Sequence, residues 1–161
     1  MKELILIRHG KSSWEYDVSD KDRPLTERGI RDGHLVAQAL GKEFPTPDAI
    51  YSSPANRALH TCCILMRELG LPLDRLRLEE GLYDFSGASV KAFVRGLDNS
   101  LGRVLIFGHN HAFTLVANAW GSRHTENVPT TGCVHLAFDT DSWADIRHGR
   151  TVKMVFPKQL K

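Results

Sequence analysis

The chain has 161 residues, 42% hydrophobic and 25% charged, with a formal net charge of +2; this fits one folded domain over residues 1–161 and argues against a disordered or membrane protein. Lys and Arg are scattered among acids, so no nucleic-acid footprint is visible, and the apolar run after Met1 spans only Leu4 to Ile7, too short for a signal-peptide core or a membrane span. The three cysteines, Cys62, Cys63 and Cys133, lack C-x-x-C spacing and read as buried thiols in a reducing compartment, so a cytoplasmic location is expected.

Short β-rich runs alternate with helical patterns, which predicts an α/β fold with a mainly parallel sheet, a three-layer α/β/α sandwich. Glu3 to Ile7 forms a central strand covered on both faces, followed by a polar loop to about Pro24. Thr26 caps a helix reaching about Phe44 and stopped by Pro45. Ala49 to Ser52 is a second strand; Ser53-Pro54 then reads as a cap plus first helical residue of a helix ending at Leu69, with Arg57 about one turn in. Leu76 and Leu78 lie on a strand, and Ser89 to Leu97 is a short helix. Arg103 to Phe107 is another buried strand, and a helix from Asn110 or His111 to before Gly121 turns Phe113, Val116 and Trp120 inward. Strands at Cys133 to Phe138 and Thr151 to Phe156 close the chain, with a short helix at Ser142 to Ile146.

Three strand-to-helix junctions carry the unusual residues: Arg8-His9-Gly10, Ser52-Ser53-Pro54 leading to Arg57, and Gly108-His109-Asn110. Ligands of open parallel sheets bind outside the carboxyl ends of strands, so these ends can converge on one pocket. Two unit charges about 4 Å apart repel by ~4 kcal/mol at an effective dielectric near 20. Two arginines and two histidines held together therefore make sense around an anion, and helix N-termini nearby suit a phosphate or phosphoryl group. No metal is called for: His109-Asn110-His111 resembles an H-x-H pair but lacks a companion cysteine or acid cluster. There is no G-x-x-x-x-G-K-[ST] phosphate loop and no G-x-S-x-G elbow. Trp14, Trp120 and Trp143 read as packing residues, Trp14 in a loop that could border the pocket. His34, His60, His124, His135 and His148 read as ordinary surface or core histidines.

The stretches "LIRHGKSSW", "DRPLTERG" (Asp22 to Gly29), "IYSSPANRALHT" (Ile50 to Thr61), "VLIFGHNHAF" (Val104 to Phe113) and "VPTTGCVHLAFD" (Val128 to Asp139), in this order, resemble the histidine phosphatase superfamily. That superfamily includes the phosphoglycerate mutases, and the resemblance is closest to its small SixA-like phosphohistidine phosphatases. It implies a phosphoglycerate mutase-like fold, no cofactor, and His9 as the nucleophile that takes up the phosphoryl group. Arg8, Arg57 and His109 would bind its oxygens, and water would release phosphate. Arg8 and Arg57 should lower the His9 pKa and leave a nitrogen free for attack, while the other nitrogen donates to a backbone carbonyl.

Ser12 matches a substrate-holding serine of the mutases, but Glu15 stands where their asparagine would be, and the chain lacks room for the insertions that cover the mutase pocket. Glu80 lies nearest the position of the family's proton donor, with Asp22 and Asp84 as alternatives, and any of them can instead be a solvated charge. Imidazole leaves with little protonation whereas an alkoxide needs an acid, so the expected substrate is phosphohistidine in a protein. The alternatives are a small phosphorylated metabolite and a phosphate-binding module without turnover. No nucleic-acid or membrane partner is expected.

Overall fold

The computed structural model describes residues 1–161. Its sheet has six strands: β1 (Lys2–Arg8), β2 (Ala49–Ser52), β3 (Leu76–Leu78), β4 (Arg103–Gly108), β5 (Cys133–Phe138) and β6 (Arg150–Val155), in the order β3-β2-β4-β1-β5-β6. β1, β2, β3 and β4 run parallel, and β5 and β6 pair antiparallel along the β1 side. The helices are α1 (Glu27–Leu40), α2 (Asn56–Glu68), α3 (Ala88–Arg95) and α4 (Ala112–Trp120).

Side chains alternate across a strand, so the unbroken Leu4-Ile5-Leu6-Ile7 run supplies both faces of the sheet at once. Leu4 and Leu6 pack with Val90 and Val94 of α3 and with Phe113, Val116 and Trp120 of α4. Ile5 and Ile7 pack with Val36 and Leu40 of α1 and with Leu65 and Met66 of α2. Each such buried side chain contributes about 1.5–3 kcal/mol, which anchors β1 firmly from both faces. The result is the three-layer α/β/α sandwich expected from the alternating pattern.

Thr26 caps α1, its hydroxyl accepting the Gly29 N–H at 3.1 Å. The helix stops at Leu40 instead of near Phe44, because Gly41 takes φ 63° and donates its N–H to the Ala37 carbonyl; a glycine with free access to the left-handed region acts before the proline does. α2 starts at Asn56, two residues after Pro54, which makes Arg57 the second residue of the helix. Trp120 and Trp143 are buried as expected, whereas Trp14 stands out into solvent. The expected helix at Ser142 to Ile146 is one 3-10 turn, Trp143–Asp145. No helix is long and apolar enough to cross a membrane.

Candidate active site

The register of the parallel strands builds the site. Arg8 pairs with Gly108 and Ser52 with Phe107, so His9, Ser53 and His109 leave three adjacent strands at the same edge of the sheet. Neighbouring strands lie about 4.8 Å apart, and the His9 and His109 ring centroids are accordingly 5.2 Å from each other. Gly10 follows without any left-handed turn; its role is closeness, because a Cβ there would sit 3.0 Å from the Gly29 carbonyl oxygen and 3.2 Å from Thr131 Oγ1. The Gly10 N–H donates to Thr61 Oγ1 at 2.9 Å, and that hydroxyl donates to the Arg57 carbonyl at 2.7 Å. Thr61 thus ties the His9 loop to the helix that carries Arg57.

Each imidazole is oriented by a hydrogen bond, and a carbonyl partner fixes the tautomer of His9. His9 Nδ1 lies 2.7 Å from the Gly10 carbonyl oxygen; a carbonyl only accepts, so Nδ1 carries the proton and Nε2 keeps its lone pair. Burial lowers the His9 pKa to about 3; the Gly10 carbonyl pulls it up, and Arg57, Arg8 and Arg23 push it down. Ser53 Oγ accepts the Ala55 N–H at 3.2 Å and lies 2.8 Å from His109 Nε2. The Ser53 hydroxyl donates to Nε2 in the tautomer that carries the His109 proton on Nδ1 and accepts from it in the other. Burial, then His9 and Arg57, lower the His109 pKa to about 3 as well, with Asp20 opposing. Both rings are therefore neutral at pH 7.

Arg8, His9, Ser12 and Arg57 border one open pocket of about 300 Å³; His109 is fully buried and outside that lining, its ring 5.2 Å from the His9 ring. Six buried side-chain atoms lack a hydrogen-bond partner, and four of them are Arg8 Nε, Arg57 Nε, His109 Nδ1 and Thr131 Oγ1. All four can donate. Buried donors are normally paired, so their gathering at the ends of β1 and β4 and the start of α2 marks a place suited to the oxygens of an anion. A separate cavity of about 250 Å³ beside Leu40, Phe44 and Cys133 contains none of these groups.

Asp20, Arg23 and Tyr83 also border the site, although no motif in the sequence singles them out. Arg57 donates from Nη1 to the Asp20 carbonyl at 2.6 Å and from Nη2 to Asp20 Oδ2 at 2.8 Å. Tyr83 donates to the same carboxylate oxygen at 2.5 Å, and Arg23 Nη1 reaches Oδ1 at 3.1 Å. Burial raises the Asp20 carboxyl, but the bonds from Tyr83 and Arg57 outweigh it and hold it below the ordinary carboxylate range. Arg23 also donates from Nη2 to Ser12 Oγ at 2.6 Å. The nearest signal is the "DRP" stretch, which contains Arg23 without marking it; Asp20 lies in a charged loop that reads as solvated.

Among the candidate proton donors, Glu80 is exposed, pairs with Lys21 at 3.1 Å and lies outside the lining of the pocket. Asp22 is exposed and accepts from Ser19 Oγ. Asp84 uses both oxygens at the start of α3: Oδ1 accepts from the Ser86 N–H and hydroxyl, Oδ2 from the Gly87 and Val90 N–H groups. Burial raises its pKa, but these backbone donors outweigh it and keep the carboxyl ionised. No cluster of three His, Cys, Asp or Glu side chains suits a metal ion.

Comparison with known proteins bears on the family and the fold. The family model of the histidine phosphatase superfamily (branch 1) matches residues 4–87. An uncharacterized protein of Mycobacterium tuberculosis is 29% identical over 153 residues, covering 89% of this chain and 93% of its own. A 2,3-bisphosphoglycerate-dependent phosphoglycerate mutase of Methylobacterium radiotolerans is 33% identical over 115 residues, covering 59% of this chain and 54% of the mutase. In three dimensions the protein histidine phosphatase SixA, solved with tungstate, superposes with a TM-score of 0.82 over 99% of each chain at 23% identity. Fold and site define an α/β enzyme of the phosphatase class. The chain belongs to the histidine phosphatase superfamily.

Proposed function

We propose that this chain, acting as one domain over residues 1–161, hydrolyses phosphohistidine in a protein by way of a phosphorylated His9. The observation that carries the reading is the neutral His9 with a free Nε2 lone pair, set among buried donors that lack partners. In the first step Nε2 forms a bond to phosphorus while the bond from phosphorus to the substrate nitrogen breaks, and the electron pair returns to the substrate ring. A ring protonated on its other nitrogen departs as neutral imidazole, so this step needs no separate acid. That agrees with Asp84 being ionised and Glu80 lying at the surface.

Phosphorylated His9 becomes an imidazolium, and the Gly10 carbonyl that accepts from Nδ1 stabilises its charge. Water then attacks phosphorus, the electron pair returns to His9 Nε2, and the water proton leaves with the phosphate. Arg8 and Arg57 through Nε, and His109 through Nδ1, meet the charge spread over the phosphoryl oxygens, where positioning and electrostatics supply most of the acceleration. Ser12, oriented by Arg23, holds the substrate side of the group. The SixA likeness in fold and the open pocket support a protein substrate, and the free thiols of Cys62, Cys63 and Cys133 fit a cytoplasmic setting.

The test is a metal-free substrate panel with a phosphohistidine peptide, an aryl phosphate and a small sugar phosphate, run beside His9→Ala. The reading expects the peptide to be cleaved fastest and release to vanish in the variant. Faster release from the sugar phosphate would assign a metabolite substrate, and phosphate binding without His9-dependent turnover would make the chain a binding module.

A further inference from the structure

Two aromatic rings border the pocket at its mouth without being used by the chemistry above. Trp14 is 77% exposed and Phe85 46% exposed, and both line the cavity that contains His9 and Ser12. Exposed aromatic side chains that line a pocket offer flat apolar surface to whatever enters it. Each is also held in place. The Arg23 guanidinium carbon lies 3.3 Å from the centre of the Trp14 ring, and Arg23 is itself fixed by bonds to Ser12, to the Ser13 carbonyl and to Asp20. One face of Trp14 is thereby covered and steadied while the rest of the ring stays in solvent. The Phe85 ring centroid sits 5.2 Å from both Tyr83 and His109, which anchors one side of Phe85 against the site and leaves its remainder exposed.

We infer that Trp14 and Phe85 form an aromatic jaw that selects phosphoryl donors whose leaving atom belongs to, or adjoins, a flat aromatic ring. The inference rests on the phosphatase reading and narrows it: the phosphoryl group binds among Arg8, Arg57 and His109, and the ring it departs from lies against Trp14 and Phe85. An imidazole is flat, and in its protonated form it adds attraction to the π-face of Trp14. A flexible alkyl or sugar group gains neither. The preference is thus imposed by contact as well as by leaving-group basicity, and it can be measured without turnover.

The experiment compares the binding of benzylphosphonate and cyclohexylmethylphosphonate, by titration calorimetry, to the parent, Trp14→Ala, Trp14→Phe, Phe85→Ala and Phe85→Leu. The ligands match in size and in the phosphonate and differ in having a flat or a puckered ring. The parent should bind the benzyl compound about threefold to tenfold more tightly, the range expected for one aromatic contact. Trp14→Ala and Phe85→Leu should each shrink that ratio, and Trp14→Phe should retain most of it. Phe85→Leu keeps bulk beside His109, so its result does not depend on how well Phe85→Ala folds. Equal binding of the two phosphonates by the parent, or an unchanged ratio in both Trp14→Ala and Phe85→Leu, would overturn the jaw. His9-dependent release in the substrate panel is a separate readout: its presence beside equal phosphonate binding removes the jaw and leaves the phosphatase, and its absence beside a clear benzyl preference does the reverse.

Discussion

Asp20 and Ser53 touch the side chains proposed to bind the phosphoryl group, Asp20 through Arg57 and Ser53 through His109. The Asp20 carboxylate accepts from one terminal nitrogen of Arg23 and one of Arg57, and so orients the arginines at the cost of an anion near a proposed anion site. Asp20→Asn keeps the shape and removes the charge. Inhibition by inorganic phosphate should therefore tighten severalfold in that variant, and the Tyr83 hydroxyl, raised above its usual pKa chiefly by its bond to Asp20, should titrate lower in an absorbance titration against the parent. Ser53→Ala removes the hydroxyl bonded to His109 Nε2. A net hydrogen bond is worth about 1 kcal/mol, so steady-state kinetics should show a kcat loss of roughly fivefold with little change in KM.

At the scale of elements, the contact between α1 and the His9 loop is the point of least tolerance. A glycine inside a helix normally costs about 1 kcal/mol against alanine, so Gly→Ala in a helix is ordinarily stabilising. Gly29 reverses that sign: a Cβ there would collide with the Lys11 backbone carbonyl. Gly29→Ala should lower the urea midpoint and reduce turnover together, since the loop that must shift carries Ser12. An unchanged midpoint would show that the loop gives way without cost.

The strands that bring His9 and His109 together are legible in sequence, because four apolar residues in a row ending at a polar pair mark a buried strand with a functional end. Less legible are ends set by local competition. The Ser53 hydroxyl is engaged by Ala55 and His109, and the helix begins at Asn56, as the Gly41 backbone ends α1 ahead of Pro45. Asp20 and Tyr83 meet across 63 residues of chain, and no spacing rule brings such a pair together. Trp14 looks like a packing residue by type, and its exposure depends on the course of a loop that has no periodicity.

For the whole molecule, the two neutral histidines couple folding to pH. Unfolded, each takes up a proton near pH 6.5; folded, His9 and His109 resist protonation down to about 3. Below pH 6.5 the unfolded chain thus binds protons that the native one does not, so stability is complete above that value and falls as pH drops towards 3. The slope is about 1.4 kcal/mol per pH unit for each histidine. Urea midpoints measured from pH 7.5 to 4.5 should fall steadily below 6.5, and a His109→Asn variant should show a shallower decline. A flat profile between pH 6.5 and 4.5 would contradict the neutral pair.

The account as a whole turns on where the phosphoryl group goes. Mixing the enzyme with a phosphohistidine peptide, quenching within milliseconds under alkaline conditions and mapping the modified peptide by mass spectrometry tests it most directly. A phosphoryl group on His9 that appears and decays during turnover, and is missing in His9→Ala, is the predicted result. Full turnover with no phosphoryl group on His9 at any quench time, or undiminished release by His9→Ala, would contradict it.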